Sequence, residues 1–194
     1  MILGVTGGMG CGKSTAAKGF ELHGFRRVDA DAQIRDLILT APAVLAQLQE
    51  RYGESVFTPE GLLDRAALAA RVFAEVAERR WLEQLTHPLL FAEWRRLLAT
   101  QPEADWVFEV PLLFEQSLEN WFDFTLCIAC SSQLQLVRLE QRGLSRELAG
   151  QRISQQLPLA RKIELADRVM WNDGSAAFLQ VQIDTFVASL PGRR

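Results

Sequence analysis

Lysine is scarce in this sequence: of 21 basic residues, only Lys13, Lys18 and Lys162 are lysines, and the rest are arginine. Cysteine is scarce too, with three residues in 194, and the net charge is only −3. No run approaches about 18 consecutive apolar residues, so no membrane span is expected. No low-complexity tract occurs, and 48% apolar against 23% charged residues argues against disorder. Near-balanced charge gives no whole-surface attraction to nucleic acid. The opening MILGVTGG lacks a basic segment and reaches glycine within four residues, so it is not read as a signal peptide. The length suits one domain, or one domain with a modest insertion. Together these features predict a soluble, cytoplasmic α/β protein.

The cysteines fit that compartment, being odd in number. Cys127 and Cys130 form a C-x-x-C within the apolar run FTLCIAC, read as a buried strand. Side chains three apart on a strand point to opposite faces, so these two thiols are not expected to share a ligand. They are read as small core residues, and a zinc site lacks a second ligand pair.

Strand character is found at 1–6, 25–28, 106–110, 124–129 and 168–171. Helical patterns cover 13–22, 32–39 and, after Pro42, 43–52. Asp64 is positioned to cap a helix over 65–73, a second helix is expected to end near Thr86, and Pro88 to open a third. Ser131 or Ser132 should cap a helix to Gln141 that Gly143 closes; Ser145 caps the next. Asn172-Asp173-Gly174 turns into a C-terminal helix. Alternating strands and helices predict a parallel sheet with helices on both faces, interrupted by a helical insertion at about 37–100. Ligands bind such sheets beyond the carboxyl ends of the strands.

After the first strand, Gly7-Gly8-Met9-Gly10-Cys11-Gly12-Lys13-Ser14 fits G-x-x-x-x-G-K-[ST] in full. Such a loop turns backbone amides inward around phosphate oxygens, and the following helix aims its N-terminus at the same anion. Lys13 is expected on the β- and γ-phosphates and Ser14 on Mg²⁺. The motif points to ATP or GTP and leaves the reaction open.

The second strand ends in Val28-Asp29-Ala30-Asp31. Asp31 could take the proton of an acceptor hydroxyl, with Asp29, two residues earlier in extended chain and on the same face, supporting it; helix capping is the competing role. The third strand ends at Glu109, resembling a Walker B acid, and Pro111 begins a loop beyond it. Between Arg138 and Arg168 stand seven basic and four acidic residues, which suggests a lid at about 138–158 with Arg138 and Arg142 on one helix face. Asn172 lies at a turn where an adenine could rest. His87 before Pro88 reads more readily as a packed residue than as an acid–base group.

Taken together, TGGMGCGKST, VDAD at 28–31, LTHPLL at 85–90, VPLLFE at 110–115, QR at 141–142 and ADRVMWNDG at 166–174 resemble the dephospho-coenzyme A kinase family. The resemblance implies a P-loop NTPase-type parallel sheet flanked by helices, with a helical insertion and an Arg-bearing lid in one kinase domain. It implies transfer of the ATP γ-phosphoryl to the ribose 3′-hydroxyl of dephospho-coenzyme A, with Mg²⁺. It implies Lys13, Asp31 and Arg142 as catalytic residues, with Asp31 the base. Gly8, Gly10, Cys11, Gly12, Lys13, Ser14, Thr15, Arg138, Arg142 and Asn172 would bind nucleotide, and Ser14 the metal. Thr6, Asp31, Arg65, His87, Pro111 and Leu112 would bind the acceptor, with the 37–100 helices offering Trp81, Phe91 and Trp94 as an aromatic surface. A cytoplasmic monomer or weak homo-oligomer is implied, with small-molecule substrates and neither nucleic acid nor membrane as partner.

Two positions depart from the family pattern: Cys11 stands where a small residue such as Ser is usual, and Glu109 where Asp is more frequent. A thiol at a helix N-terminus among inward amides is expected to have a lowered pKa and to react with thiol reagents unless MgATP covers it. Another small-molecule kinase, such as a nucleoside monophosphate kinase, is the alternative. A GTP switch would need an N-K-x-D run, and none is present.

Overall fold

The computed structural model describes residues 1–191. Five parallel strands, β1 (Ile2–Gly7), β2 (Arg26–Asp29), β3 (Trp106–Glu109), β4 (Phe124–Ala129) and β5 (Arg168–Trp171), form one sheet in the order β2-β3-β1-β4-β5. The central strand pairs Val5 with Glu109 on one side and Gly7 with Ile128 on the other. This register brings the strand ends 7, 29 and 109 to one edge of the sheet. Parallel strands need covered faces, and β1, β3 and β4 read accordingly as near-continuous apolar runs. Leu3, Val5, Val107, Leu126 and Ile128 are fully buried with Phe20 of α1 (Lys13–Glu21) and Ile183 of the C-terminal helix in one cluster.

The chain divides into two compact units: Met1–Asp29 together with the chain from Glu103 onward, and Ala30–Pro102. The second unit begins at Ala30 instead of 37. It contains α2 (Ala30–Gln33), a π-helical turn over Ile34–Ile38, α3 (Pro42–Tyr52), α4 (Arg65–Ala74) and α5 (Val76–Thr100). Asp64 caps α4 as expected, its Oδ1 accepting from the amides of Ala66 and Ala67 at 2.9 and 3.0 Å, a contact worth about 1 kcal/mol.

Pro88 does not open a new helix; it lies inside the 25-residue α5. An interior proline removes one helical hydrogen bond at about 3 kcal/mol. Thr86, Leu90 and Trp94, spaced by four, are nevertheless buried on a face that runs past it. Continuity of that face favours a single helix over two. The same burial overturns Trp94 as part of an aromatic surface: it is 0% exposed, and its Nε1 donates to Gln33 Oε1 at 2.8 Å.

The first unit adds α6 (Ser132–Gln141), α7 (Arg146–Ser154), α8 (Leu159–Leu165) and α9 (Ala176–Ser189). Helix α8, absent from the sequence expectations, buries Lys162 completely. A buried ammonium requires partners. Lys162 Nζ donates to the Pro111 carbonyl at 2.7 Å and pairs with Glu115 Oε1 at 2.8 Å, fastening the loop after β3. Lys162→Met is expected to destabilise the fold by about 3 kcal/mol in denaturant unfolding, since it removes the buried cation paired with Glu115 and leaves the Pro111 carbonyl to Thr6 alone; an unchanged midpoint would show the pair to be dispensable.

Candidate active site

The loop from Gly7 to Gly12 follows β1 into α1. Its shape depends on glycine at two points. Gly12 has φ +97° and a Cβ there would lie 2.2 Å from Asn172 Nδ2; Gly7 has φ +142° and would meet the Ile128 carbonyl oxygen at 2.1 Å. Five successive carbonyls are tied down. Lys13 Nζ donates to those of Gly7 and Gly8 at 3.3 and 3.1 Å, and Gln135 Nε2 to that of Met9 at 2.9 Å. Arg138 Nη1 reaches the Gly10 carbonyl at 3.5 Å, and Asn172 Nδ2 donates to that of Cys11 at 2.8 Å. Carbonyls held in this way keep the loop from collapsing and preserve a cradle for an anion at the helix N-terminus. Ser14 and Thr15 are exposed there.

Glu109, buried at the end of β3, accepts from Ser14 Oγ at 2.5 Å. Its other oxygen pairs with Arg27 Nη2 at 2.9 Å, and Arg27 also reaches Asp29 Oδ2 at 3.3 Å. Asp29 therefore shares a cation with the acid beside Ser14. Arg27 was not legible in the sequence, because nothing about the spacing of a strand arginine marks its target. Asp31 departs from the extended-chain expectation: helix α2 starts at Ala30, so Asp31 lies in a first helical turn and does not share a strand face with Asp29. It is exposed.

Arg138 and Arg142 have different settings. Arg138 lies on α6 and also donates to the Asn172 carbonyl at 2.9 Å, so it clamps the loop to the turn after β5. Arg142 is the C-cap of α6 and is exposed. Asn172 is buried. Thr6, also buried, donates through Oγ1 to the Pro111 carbonyl at 3.2 Å; Pro111 and Leu112 are half-buried.

In the helical unit, Arg65 opens α4 and pairs with Asp36 Oδ1 at 3.4 Å. His87 packs on Phe91, ring centroids 5.7 Å apart, and burial pushes its pKa below the usual imidazole value. A cluster the sequence did not flag lies nearby in the same unit. Arg51 forms two 2.8 Å contacts with Glu78, Tyr52 donates to Glu78 at 2.5 Å, and the Arg51 guanidinium sits 4.5 Å from the Trp81 ring. Arg51, Arg71, Glu75 and Glu78 border a cavity of about 700 Å³.

Cys11 is fully buried, not open to bulky reagents at the loop surface. Its pKa is lowered, to about 7, but chiefly by the Cys130 thiol that donates to it; Lys13 and the loop contribute less. Cys127 is buried and pushed up to about 12.

The comparisons with known proteins agree with one another. A family model described as CoaE, dephospho-CoA kinase, matches residues 1–177. A dephospho-CoA kinase of Thermosynechococcus vestitus is 41% identical over 193 residues, covering 98% of this chain and 95% of that protein. Among solved structures, TT1252 from Thermus thermophilus has a TM-score of 0.82 and 34% identity, covering 99% of this chain and 98% of that one. Dephospho-CoA kinase from Campylobacter jejuni has a TM-score of 0.68 and 29% identity, with coverage of 96% and 94%.

Proposed function

The chain belongs to the dephospho-CoA kinase family, and we propose the residue roles by which its sheet edge and helices carry out the reaction. The enzyme is a kinase that transfers the ATP γ-phosphoryl to dephospho-coenzyme A, the last step of coenzyme A synthesis. A nucleoside monophosphate kinase is not favoured.

The observation that supports the phosphate-site assignment is the set of tethered carbonyls from Gly7 to Cys11, which holds the loop ready for an anion before it arrives. Preorganised donors stabilise charge without reorganisation during the reaction. In this reading Lys13 leaves the Gly7 and Gly8 carbonyls for the β- and γ-phosphates. Gly8, Gly10, Gly12 and Thr15 line the phosphates, and Asn172 and Arg138 keep the loop in shape. The 138–158 segment serves as the lid, and Arg142 adds charge as it closes. Asp31 takes the acceptor proton. Thr6, Arg65, His87, Pro111, Leu112 and the 37–100 helices serve the acceptor.

Ser14 and Glu109 are hard oxygen donors 2.5 Å apart, chemistry that suits Mg²⁺. Among the described residues no group of three His, Cys, Asp or Glu could hold a metal alone. This matches an ion held mostly by substrate phosphates and water. When bound, the ion would offset the negative charge of the transferring phosphoryl group. Ser14 would ligate it, and Glu109 would orient its water. Arg27 fixes the Glu109 carboxylate for that task. Among the described residues no helix is long and apolar enough to cross a membrane. A net charge of −3 gives no electrostatic reason for a nucleic-acid partner, and the family likeness supports a cytoplasmic monomer or weak homo-oligomer.

Electron paramagnetic resonance of Mn²⁺ with ATP tests the metal assignment without turnover. Glu109→Gln should weaken Mn²⁺ binding in the ternary complex about 10- to 100-fold, the range for a partner that orients metal ligands. Equal affinity in the variant would remove Glu109 from the metal site.

A further inference from the structure

Two of the three cysteines meet beneath the phosphate loop. Cys11 Sγ and Cys130 Sγ are 3.4 Å apart, one in the loop itself and the other just past the end of β4. We propose that Cys11 and Cys130 are a modification site: a dithiol that peroxide converts to an intramolecular disulfide, switching the phosphate loop off reversibly. The effect on activity rests on the phosphate-loop assignment above, whereas the cross-link does not.

The contact is closer than packing of two thiols requires. A disulfide bond is about 2.05 Å long, so closure asks for about 1.4 Å of movement. Cys11 lies between Gly10 and Gly12, at φ +81° and +97°, and the half-exposed Met9 and Gly12 and exposed Ser131 flank the buried pair. Hydrogen peroxide, small and uncharged, is the oxidant suited to a pair buried this close to partly exposed residues. The division of labour is set by the hydrogen bond, in which Cys130 donates and Cys11 accepts. Lys13 adds positive charge near Cys11, and the thiolate is the reactive form of a cysteine. Burial keeps Cys127 a thiol, so it is the internal control.

In the first step the Cys11 thiolate attacks one oxygen of hydrogen peroxide. The O–O bond breaks, hydroxide leaves and takes up the proton that Cys11 had released, and Cys11 becomes a sulfenic acid. The Cys130 sulfur then displaces the sulfenic hydroxyl, which leaves as water with the Cys130 proton. Two thiols lose two electrons, and one peroxide becomes two waters. In a reducing compartment such a bond is transient, as redox-sensing disulfides are.

Closing the bond shifts Cys11, whose carbonyl Asn172 holds at 2.8 Å, and so distorts the amide cradle. A displacement of about 1 Å in a catalytic site can lower turnover about 10²-fold.

The test treats the full chain, without nucleotide, with hydrogen peroxide and reads both peptide mass and activity. Trypsin yields peptides 1–13 and 97–138, the second carrying both Cys127 and Cys130. The expected product joins Cys11 to Cys130 with loss of two hydrogens, located by fragmentation between residues 127 and 130. Kinase activity falls about 10²-fold and returns with dithiothreitol. In Cys130→Ser, which leaves basal activity unchanged, peroxide takes Cys11 to sulfinic acid and dithiothreitol no longer restores activity. Cys11 and Cys130 both still alkylated after treatment, a link through Cys127, or a cross-linked enzyme with full activity would each overturn the proposal.

Discussion

Replacing Lys13 with alanine is expected to lower kcat by about 10²–10³, the cost of removing one preorganised charge from a transferring group. The ammonium has two tasks in this fold. At rest it holds the Gly7 and Gly8 carbonyls at 3.3 and 3.1 Å, and during transfer it faces phosphoryl oxygens as their charge redistributes. The sequence contains only two other lysines, and Lys162 is committed to Pro111 and Glu115. Lys18 lies five residues along α1, about 140° around the helix from Lys13, and so faces elsewhere. ATP affinity should also weaken, because the β- and γ-phosphates lose the ammonium that leaves the Gly7 and Gly8 carbonyls to meet them. Steady-state rates with direct ATP binding separate the two effects; a kcat near that of wild type would show that Lys13 only shapes the loop.

The second large effect is expected at Asp31. An alcohol must lose its proton as the phosphoryl group arrives, and a positioned carboxylate supplies about 10²–10⁴-fold as general base. Asp31→Asn keeps the size and much of the hydrogen bonding of the side chain but removes its basicity. Its place in the first turn of α2, two residues past the end of β2, exposes the carboxylate instead of packing it. We expect kcat to fall by about 10²–10⁴ with ATP affinity nearly unchanged. Should ATP binding collapse while kcat recovers at saturation, Asp31 would be serving the metal or the fold, and the base would have to be sought elsewhere.

Features set by local chemistry were legible in the sequence. The phosphate loop announces itself through glycine positions that tolerate no Cβ. Asp64 caps its helix because a carboxylate at that point satisfies two orphan amides. Strands β4 and β5 were read with the residue bounds the structure has, since turn residues and short apolar runs delimit them. What escaped depends on contacts between distant segments. Pro88 carries a strong local stop signal, yet the buried face of Thr86, Leu90 and Trp94 outweighs it. Gln135 is an unremarkable helix residue until α6 brings it to the Met9 carbonyl. Arg27 and Glu109 are 82 residues apart, and only the pairing of β2 with β3 makes them neighbours. The Cys11–Cys130 contact spans 119 residues for the same reason, so a scan for nearby cysteine pairs stops at the uninvolved Cys127.

The most direct test of the account is ADP release by the purified enzyme over a panel of acceptors: dephospho-coenzyme A, AMP, nucleosides and pantetheine compounds, each with MgATP. The account predicts the highest kcat/KM with dephospho-coenzyme A and a product phosphorylated at the ribose 3′-hydroxyl. An equal or higher kcat/KM with AMP would contradict it.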